Sequence, residues 1–392
     1  MEAYYFSQLD KYGQSVYHAI QEGLTDLSPS FPVPRMEGKE LSEVLFRLRL
    51  DRPELFYVTG FSYRVHPQAA SVEFILQYLF DKGKIREHQR ALSARVTKLA
   101  RPAQSMTDGE KERYVHDFIC QNVRYDKLKK PYSHEILGPL GQGVGVCEGM
   151  AKSVKALCDA LGLWCIVVVS HAAPEQGNRY RHAWNILRLG GSYYHLDATF
   201  DRTLSGEGPI RYDYFNLDDR RIFRDHQPLV YPAPSCTDGD AFYYRVQKRS
   251  FTRVEEVVRR GEQALRKKQP LLFHWRGGAL TRGVLEELLP PLEEAARARS
   301  RYVQVRVNWP QAVLHITFPD QPPPSRPVPP RRPTRGRPLP HPSLLRRNAG
   351  DLPPCVLFQK ITLASGIWLC YNGAEMSRGG ISSLPILFYA IS

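Results

Sequence analysis

A glycine-rich loop, Cys147 and an amphipathic helix follow one another within residues 141–170. Downstream of Cys147, apolar residues recur at the spacing of one helix face, at Met150, Val154, Leu157 and Leu161. Gly162 then ends the pattern, as glycine often does just past a helix. The β-branched run 166–169 predicts a buried strand. The sequence therefore predicts a helix that begins at Cys147 and leads into a strand.

The position of Cys147 at a helix start has a chemical consequence. A helix N-terminus carries a partial positive charge and N–H groups without intrahelical acceptors. It favours the thiolate, which is the nucleophilic form of cysteine, and its N–H groups are suited to hold a developing oxyanion. The alternative is a small buried cysteine that only contributes to packing, since cysteine is common in protein interiors.

The cysteine pattern and the start of the chain bear on the compartment. The seven cysteines show no repeated spacing and no CxxC pair, which argues against a disulfide framework and a cysteine zinc site. Residues 1–20 lack the basic-then-apolar order of a signal peptide, and no run approaches the roughly 18 apolar residues of a membrane span. A cytoplasmic protein without a membrane span is the expectation.

The net charge of +14 is concentrated towards the C-terminus. Residues 321–350 hold seven arginines and no acidic residue, and the rest of the excess is scattered among charges of both signs. We therefore expect a solvated basic surface and do not expect nucleic acid as a partner. The proline-rich composition predicts a disordered linker at 320–354. The apolar tail at 355–392 matches no earlier pattern and has the character of a frame-shifted C-terminus.

The N-terminal part of the chain, residues 1–104, is predicted to be a helical or α+β region without visible catalytic chemistry. Within it, residues 72–99 are expected to be mostly helical. The next helix, 107–122, begins with a capping box. His116 and Cys120 lie four residues apart on one of its faces, which is a possible metal pair. Nothing nearby completes the ligand set, so core packing is the expected role.

Two β-patterned runs, residues 181–189 and 192–201, are separated by two glycines and predict a hairpin with a primed turn. With a two-residue turn, His182 and Asp197 become diagonal neighbours on one sheet face, with roughly 7 Å between their Cβ atoms. An imidazole can reach a carboxylate over that distance. A plain cross-strand pair of surface residues is the alternative.

Cys147, His182 and Asp197 together fit the nucleophile, base and orienting acid of cysteine hydrolases. In this hypothesis His182 takes the thiol proton, and Asp197 fixes the tautomer of the imidazole. Two alternatives stay open. His195 shares a sheet face with Asp197 and is a rival base. Cys147, His182 and Asp197 are also all good metal ligands, and they would form a metal site if they met around an ion.

Four stretches resemble the motifs of bacterial members of the transglutaminase-like superfamily: Gly145-Val-Cys-Glu-Gly149, His182-Ala-Trp-Asn185, Leu196-Asp-Ala-Thr-Phe-Asp201 and Tyr212-Asp-Tyr-Phe-Asn216. The resemblance covers about residues 105 to 225. It implies a papain-like α+β core at 105–232, in which the helix that bears the cysteine packs on an antiparallel sheet. Members of this superfamily include protein cross-linkers, peptidases, peptide amidases and proteins without catalysis.

The resemblance also implies residue roles. Cys147 would be the nucleophile, His182 the general base and Asp197 the orienting acid. The backbone N–H of Cys147 would form part of an oxyanion hole, and Tyr125 is the candidate for the side-chain donor that completes it. No metal or organic cofactor is implied, and no acidic cluster of the calcium-binding kind occurs in the sequence.

The chain after the core is expected to form a small α+β module at 238–319. Its first strand is predicted at 241–246. Two helices are predicted at 281–289 and 292–299, separated by a pair of prolines that break or kink the helical pattern. No catalytic cluster occurs in this module, so binding or packing is its expected role.

The leading hypothesis is cysteine-dependent acyl transfer on peptide or protein amides through a thioester. Water as acceptor makes the protein a peptidase or amidase, whereas an amine makes it a cross-linker. The competing hypothesis is a protein-interaction module that keeps the fold without catalysis. A third hypothesis is nucleic-acid binding through the basic segment, which would weaken steeply with salt.

Overall fold

The structure, a computed structural model, describes residues 3–66, 68–173 and 181–321 and the strands at 357–362 and 368–373. The chain divides into two units, Met1–Val246 and Gln247–Ser392. The predicted linker at 320–354, apart from its first two residues, and most of the predicted aberrant tail at 355–392 lie outside the described residues.

The first unit combines helices with small sheets. Its helices are α1 Tyr4–Ser7, α2 Lys11–Thr25, α3 Gly38–Asp51, α4 Lys82–Ala100, α5 Asp108–Asn122, α6 Cys147–Ala160, α7 Ala198–Ser205, α8 Asp219–Ile222 and α9 Tyr243–Val246. Its strands are β1 Ser30–Pro34, β2 Val58–Val65, β3 Ser71–Tyr78, β4 Arg124–Tyr125, β5 Val144–Gly145, β6 Cys165–Val169, β7 Ala183–Leu189, β8 Ser192–Leu196 and β9 Phe215–Leu217. Strands β6 to β9 form one antiparallel sheet in sequence order, and β3 lies between β1 and β2 in another. The predicted α+β class is confirmed.

Residues 1–104 and 105–232 contribute to one hydrophobic core. Helices α2, α3, α5 and α6 and strand β3 each bury side chains in it, among them Val16, Leu41, Val115, Val154 and Phe74. Each such side chain contributes about 1.5–3 kcal/mol of burial free energy. Because α6 packs its apolar face into this core, the N-terminal region supports the helix that begins with Cys147.

The expectation of a mostly helical segment at 72–99 is wrong for its first part. Ser71–Tyr78 is the central strand β3, and every second side chain in it is buried, at Val72, Phe74 and Leu76. Burial with a period of two is a strand signal, and here it outweighs the helical pattern that follows. Helix α4 begins only after Asp81, whose side chain caps its first turn.

The strand predicted at 241–246 is also wrong, because this segment contains the single helical turn α9. The carbonyl of Phe242 accepts hydrogen bonds from the N–H groups of Arg245, at 2.8 Å, and Val246, at 3.2 Å. The Tyr243 ring stacks on Tyr212 with their centroids 3.9 Å apart. A short apolar run does not reveal by its periodicity whether it is strand or helix, and here the packing decides.

The second unit has its own core. Its helices are α10 Val254–Arg266 and α11 Arg282–Arg297, and its strands are β10 Ser250–Phe251, β11 Leu271–Trp275, β12 Gln304–Asn308, β13 Val313–Thr317, β14 Leu357–Thr362 and β15 Trp368–Gly373. The predicted break at Pro290-Pro291 is wrong, since α11 runs through both prolines. Both prolines lie on the exposed face, while apolar residues on the opposite face stay buried before and after them. Burial of this stripe holds the helix together across the missing N–H groups.

No helix in the described parts of either unit has the length and apolar character needed to cross a membrane.

One buried carboxyl in the first unit has an unusual titration. Glu112 of α5 is fully buried and accepts a hydrogen bond of 3.1 Å from the Asn216 amide of β9. Burial raises the pKa of Glu112 to about 8, although Asn216 and His116 act in the opposite direction.

We predict that Glu112→Gln flattens the pH dependence of stability. Folded Glu112 stays protonated up to a pKa of about 8, whereas unfolded glutamate ionises near its ordinary pKa. The unfolding free energy of the wild type therefore falls as pH rises through this window, and glutamine removes that loss. Relative to the wild type, the variant should gain roughly 3–4 kcal/mol between pH 5 and pH 8.5 in urea unfolding. Exposed Glu207→Gln is the control, and parallel pH curves for Glu112→Gln and the wild type would refute the prediction.

Candidate active site

Cys147 is the first residue of α6 and directly follows the glycine-rich loop. The helix buries its predicted apolar face and ends at Ala160, and Gly162, just past the cap residue Leu161, takes a left-handed φ of +75°, so the predicted helix is confirmed. The side chain of Cys147 is partly exposed. The other cysteines with described side chains are buried: Cys120, Cys158, Cys165 and Cys236. Among these thiols, Cys147 alone is open to a reactant.

The loop at 131–135 packs against the first turn of α6. The N–H of Val146 donates to the carbonyl of Ser133 at 3.0 Å. A Cβ on Gly149 would lie only 2.2 Å from that same carbonyl oxygen. The glycine that follows Cys147 by two residues is therefore required, because it lets the loop backbone lie directly against the helix.

A buried group of charges anchors this turn. The Lys152 ammonium is fully buried and lies 2.8 Å from Glu148 and 2.8 and 2.9 Å from the two carboxylate oxygens of Glu135. Arg49 of α3 also contacts Glu135. Burial would raise the pKa of Glu148, but Lys152, His134 and Arg49 together outweigh burial and hold this pKa well below its usual range. The loop at 131–135, helix α3 and helix α6 thus meet at a group of side chains whose charges neutralise one another.

The predicted hairpin is confirmed in its turn and register, but the second run, predicted as strand over 192–201, is shorter: β8 ends at Leu196, and residues 198–201 belong to helix α7 because Asp197 caps it. Strands β7 and β8 pair with Leu189 opposite Ser192 and Asn185 opposite Leu196, which is the predicted register. Gly190 and Gly191 both have positive φ, +55° and +92°, as a primed two-residue turn requires. In this register His182 directly precedes β7 and Asp197 directly follows β8.

The hairpin brings His182 and Asp197 into contact. Nε2 of His182 lies 2.6 Å from Oδ2 of Asp197, and both side chains are buried. The other carboxylate oxygen, Oδ1, accepts hydrogen bonds from the backbone N–H groups of Thr199 and Phe200 and so caps α7. Burial would raise the pKa of Asp197, but the histidine partners outweigh it and hold this pKa well below its usual range. Asp197 is thus an anion fixed at both oxygens.

A further hydrogen bond ties this hairpin to the cysteine helix. The Asn185 amide, three residues after His182, donates at 2.9 Å to the carbonyl of Ala151, one turn after Cys147. The Trp184 ring stacks on the His182 imidazole with the ring centroids 5.7 Å apart. The motif that contains His182 therefore sets the position of the imidazole relative to the start of α6.

His226 is a functional candidate that the sequence analysis missed. Its Nε2 lies 3.0 Å from Oδ2 of Asp197, the same oxygen that contacts His182. Its Nδ1 lies 2.9 Å from Oδ1 of Asp225. His226 stands in a loop after α8, and no periodicity or motif in the sequence marks it.

Three donor atoms, from His182, Asp197 and His226, lie within 4.8 Å of one another and could be taken for a metal site. However, the separations of 2.6 and 3.0 Å are hydrogen-bond lengths. Tetrahedral ligand atoms at about 2.0–2.1 Å from zinc stand about 3.3 Å apart. The geometry favours a hydrogen-bonded group, and Cys147 is not part of it.

The rival base His195 has a different role. Its Nδ1 accepts a hydrogen bond of 3.0 Å from the indole N–H of Trp184, so its Nε2 carries the proton that Asp219 accepts at 2.8 Å. Burial lowers the pKa of His195, although Asp219 acts in the opposite direction. This tautomer also argues against a metal site at His195, Asp219 and Cys236, because Nε2 has no lone pair to offer. His195 holds the Trp184 ring that covers His182.

Two further predictions from the sequence concern Tyr125 and the pair His116 and Cys120. Tyr125 lies in β4 opposite Gly145, two residues before Cys147 along β5, so its role as oxyanion donor stays a prediction. His116 and Cys120 lie 3.5 Å apart, but the ring nitrogens of His116 contact Asp117 at 3.0 Å and Asp201 at 3.1 Å. This arrangement favours a buried, hydrogen-bonded role for His116 over the role of a metal ligand.

Comparison with known proteins agrees with the motifs. Residues 90–198 match the model of the transglutaminase-like superfamily, which confirms the resemblance predicted from the sequence. No curated protein sequence matches the chain.

Three solved structures are similar to part of the chain. A TGase is 13% identical, with a TM-score of 0.24, over 36% of this chain and 44% of its own. A candidate cysteine protease from Cytophaga hutchinsonii is 20% identical, with a TM-score of 0.24, over 33% and 51%. A candidate protease from Parabacteroides distasonis is 16% identical, with a TM-score of 0.22, over 36% and 32%. The chain thus spans about half or less of the length of these structures.

We predict that Gly149→Ala destabilises the protein and disturbs Cys147. The added methyl group would overlap the Ser133 carbonyl and force loop and helix apart, at a cost of about 1–3 kcal/mol in urea unfolding. Gly109→Ala in α5 is the control, because no atom lies within 4 Å of a Cβ there. That change should leave stability equal or raise it by about 0.5–1 kcal/mol. Equal stability of Gly149→Ala and the wild type would disprove the close contact.

Proposed function

We propose that this protein is a cysteine-dependent acyl-transfer enzyme that acts on amide bonds of peptides or proteins. The observation that carries the proposal is the hydrogen bond of 2.6 Å between His182 and Asp197. It joins an imidazole to an orienting carboxylate on a hairpin that is tied to the helix of Cys147. The partly exposed thiol at that helix start supplies the nucleophile.

The reaction would begin with transfer of the Cys147 thiol proton to His182. Because Nε2 of His182 faces Asp197, this transfer would use Nδ1. The thiolate then attacks the amide carbonyl carbon, and N–H groups at the start of α6 stabilise the oxyanion. Collapse breaks the C–N bond, and His182 returns the proton to the leaving amine. The product on the enzyme is a thioester of Cys147.

The acceptor decides the outcome of the second step. Water releases a carboxylic acid, as in a peptidase or amidase, and an amine forms a new amide, as in a cross-linker. In both cases His182 removes the proton of the acceptor and Cys147 leaves as the thiol. Asp197 stabilises the imidazolium in each half-reaction and keeps the ring oriented.

We predict that Cys147 is alkylated selectively well below the ordinary thiol pKa of about 8.5 and that His182→Ala moves this reactivity to higher pH. The physical reason is that an imidazolium next to the thiol stabilises the thiolate. The measurement is the rate of iodoacetamide labelling against pH, with the labelled residue identified by mass spectrometry. His171→Ala, at an exposed histidine, is the control and should leave the profile unchanged.

Labelling of Cys147 at an ordinary thiol pKa in both the wild type and His182→Ala would refute the activated nucleophile. It would support the competing hypothesis of an interaction module that keeps the fold. If the thiol is activated, peptide hydrolysis and amine incorporation assays with the wild type and Cys147→Ser then separate hydrolysis from transfer.

A further inference from the structure

His226 is bound to a carboxylate at each of its ring nitrogens. Nε2 faces Oδ2 of Asp197 at 3.0 Å, and Nδ1 faces Oδ1 of Asp225 at 2.9 Å. An ionised carboxylate only accepts hydrogen bonds, so each ring nitrogen has to donate a proton. Asp225 also accepts from the Tyr214 hydroxyl, as expected of a carboxylate. The geometry therefore requires a doubly protonated, positively charged His226.

The surroundings of His226 are consistent with this charge. The titratable groups that face it are Asp197 and Asp225, the imidazoles of His182 and His195, and the Tyr214 phenol. The aromatic rings of Trp184 and Phe200 pack around it, with centroids 4.8 and 4.6 Å from the imidazole. Burial would lower the pKa of His226, but the two carboxylates outweigh burial and raise it.

We infer that His226 is a positioning residue of the candidate site: as an imidazolium between Asp225 and Asp197, it fixes the Asp197 carboxylate and weakens the pull of Asp197 on His182. The inference rests on the proposed role of Asp197 as orienting acid. Two histidines share one oxygen of that carboxylate, so a positive charge on one opposes a positive charge on the other.

This arrangement would set the proton affinity of His182, the proposed base. A carboxylate with His182 as sole partner would hold the His182 imidazolium strongly and make it a poor proton donor to the leaving amine. The charge of His226 lowers the proton affinity of His182 towards the working pH, which is the condition for efficient proton transfer in both directions. His226 would act through Asp197 and not on the substrate.

The test is nitrogen NMR of the histidine side chains in the full-length protein, because it reads ring protonation without any reaction. In the wild type, both ring nitrogens of His226 should stay protonated at pH 7.5. In His226→Gln, whose amide still donates to Asp197 without charge, the titration midpoint of His182 should rise by about one pH unit. His171→Gln, at an exposed histidine, is the control.

A neutral His226 ring at pH 7.5 in the wild type would overturn the inference without need of a variant. So would an unchanged His182 midpoint in His226→Gln. His226→Phe separates a packing role, since phenylalanine keeps the ring between Trp184 and Phe200 but leaves Asp197 with one donor fewer. A packing role predicts that His182 titrates in this variant as in the wild type. Failure of the proposed enzyme activity is seen separately, as an ordinary Cys147 thiol in the alkylation profile.

Discussion

The structure of the candidate site depends on one buried carboxylate. Asp197 ends the second strand of the hairpin, and its two oxygens have different tasks. Oδ1 caps α7, and Oδ2 contacts His182 and His226. An unpaired buried carboxylate is costly, so these partners are what allow an anion to remain at this depth. The fold of α7 and the electrostatics of the site therefore share one side chain.

The thiol is held by a separate set of contacts. The turn of α6 that starts with Cys147 is bound on one side by the loop at 131–135, through the close approach at Gly149. On another side, Lys152 is locked between Glu135 and Glu148. Asn185 then joins this helix to the hairpin. The proposed nucleophile and the proposed base thus lie on two elements, α6 and the β7–β8 hairpin, which this hydrogen bond joins.

The sequence predicted those parts of the site that local chemistry determines. The hairpin register follows from two glycines between β-patterned runs, and α6 follows from its apolar spacing and its terminal glycine. The errors have a common cause, since at 72–78, at 241–246 and at Pro290-Pro291 the outcome is decided by which face becomes buried. His226 could not be predicted, because it reaches Asp197 across 29 residues from an irregular loop. Contacts of that kind depend on the tertiary fold and leave no periodic trace in the sequence.

Because Asp197 both caps α7 and contacts the two imidazoles, local unfolding of α7 would affect the candidate site. If the first turn of α7 frays, Oδ1 loses its two N–H donors, and the carboxylate becomes free to rotate away from both imidazoles. Local opening of a few residues would then disable the site while the hydrophobic core remains intact. If the proposed activity is present, mild heating should therefore abolish it reversibly before the hydrophobic core unfolds.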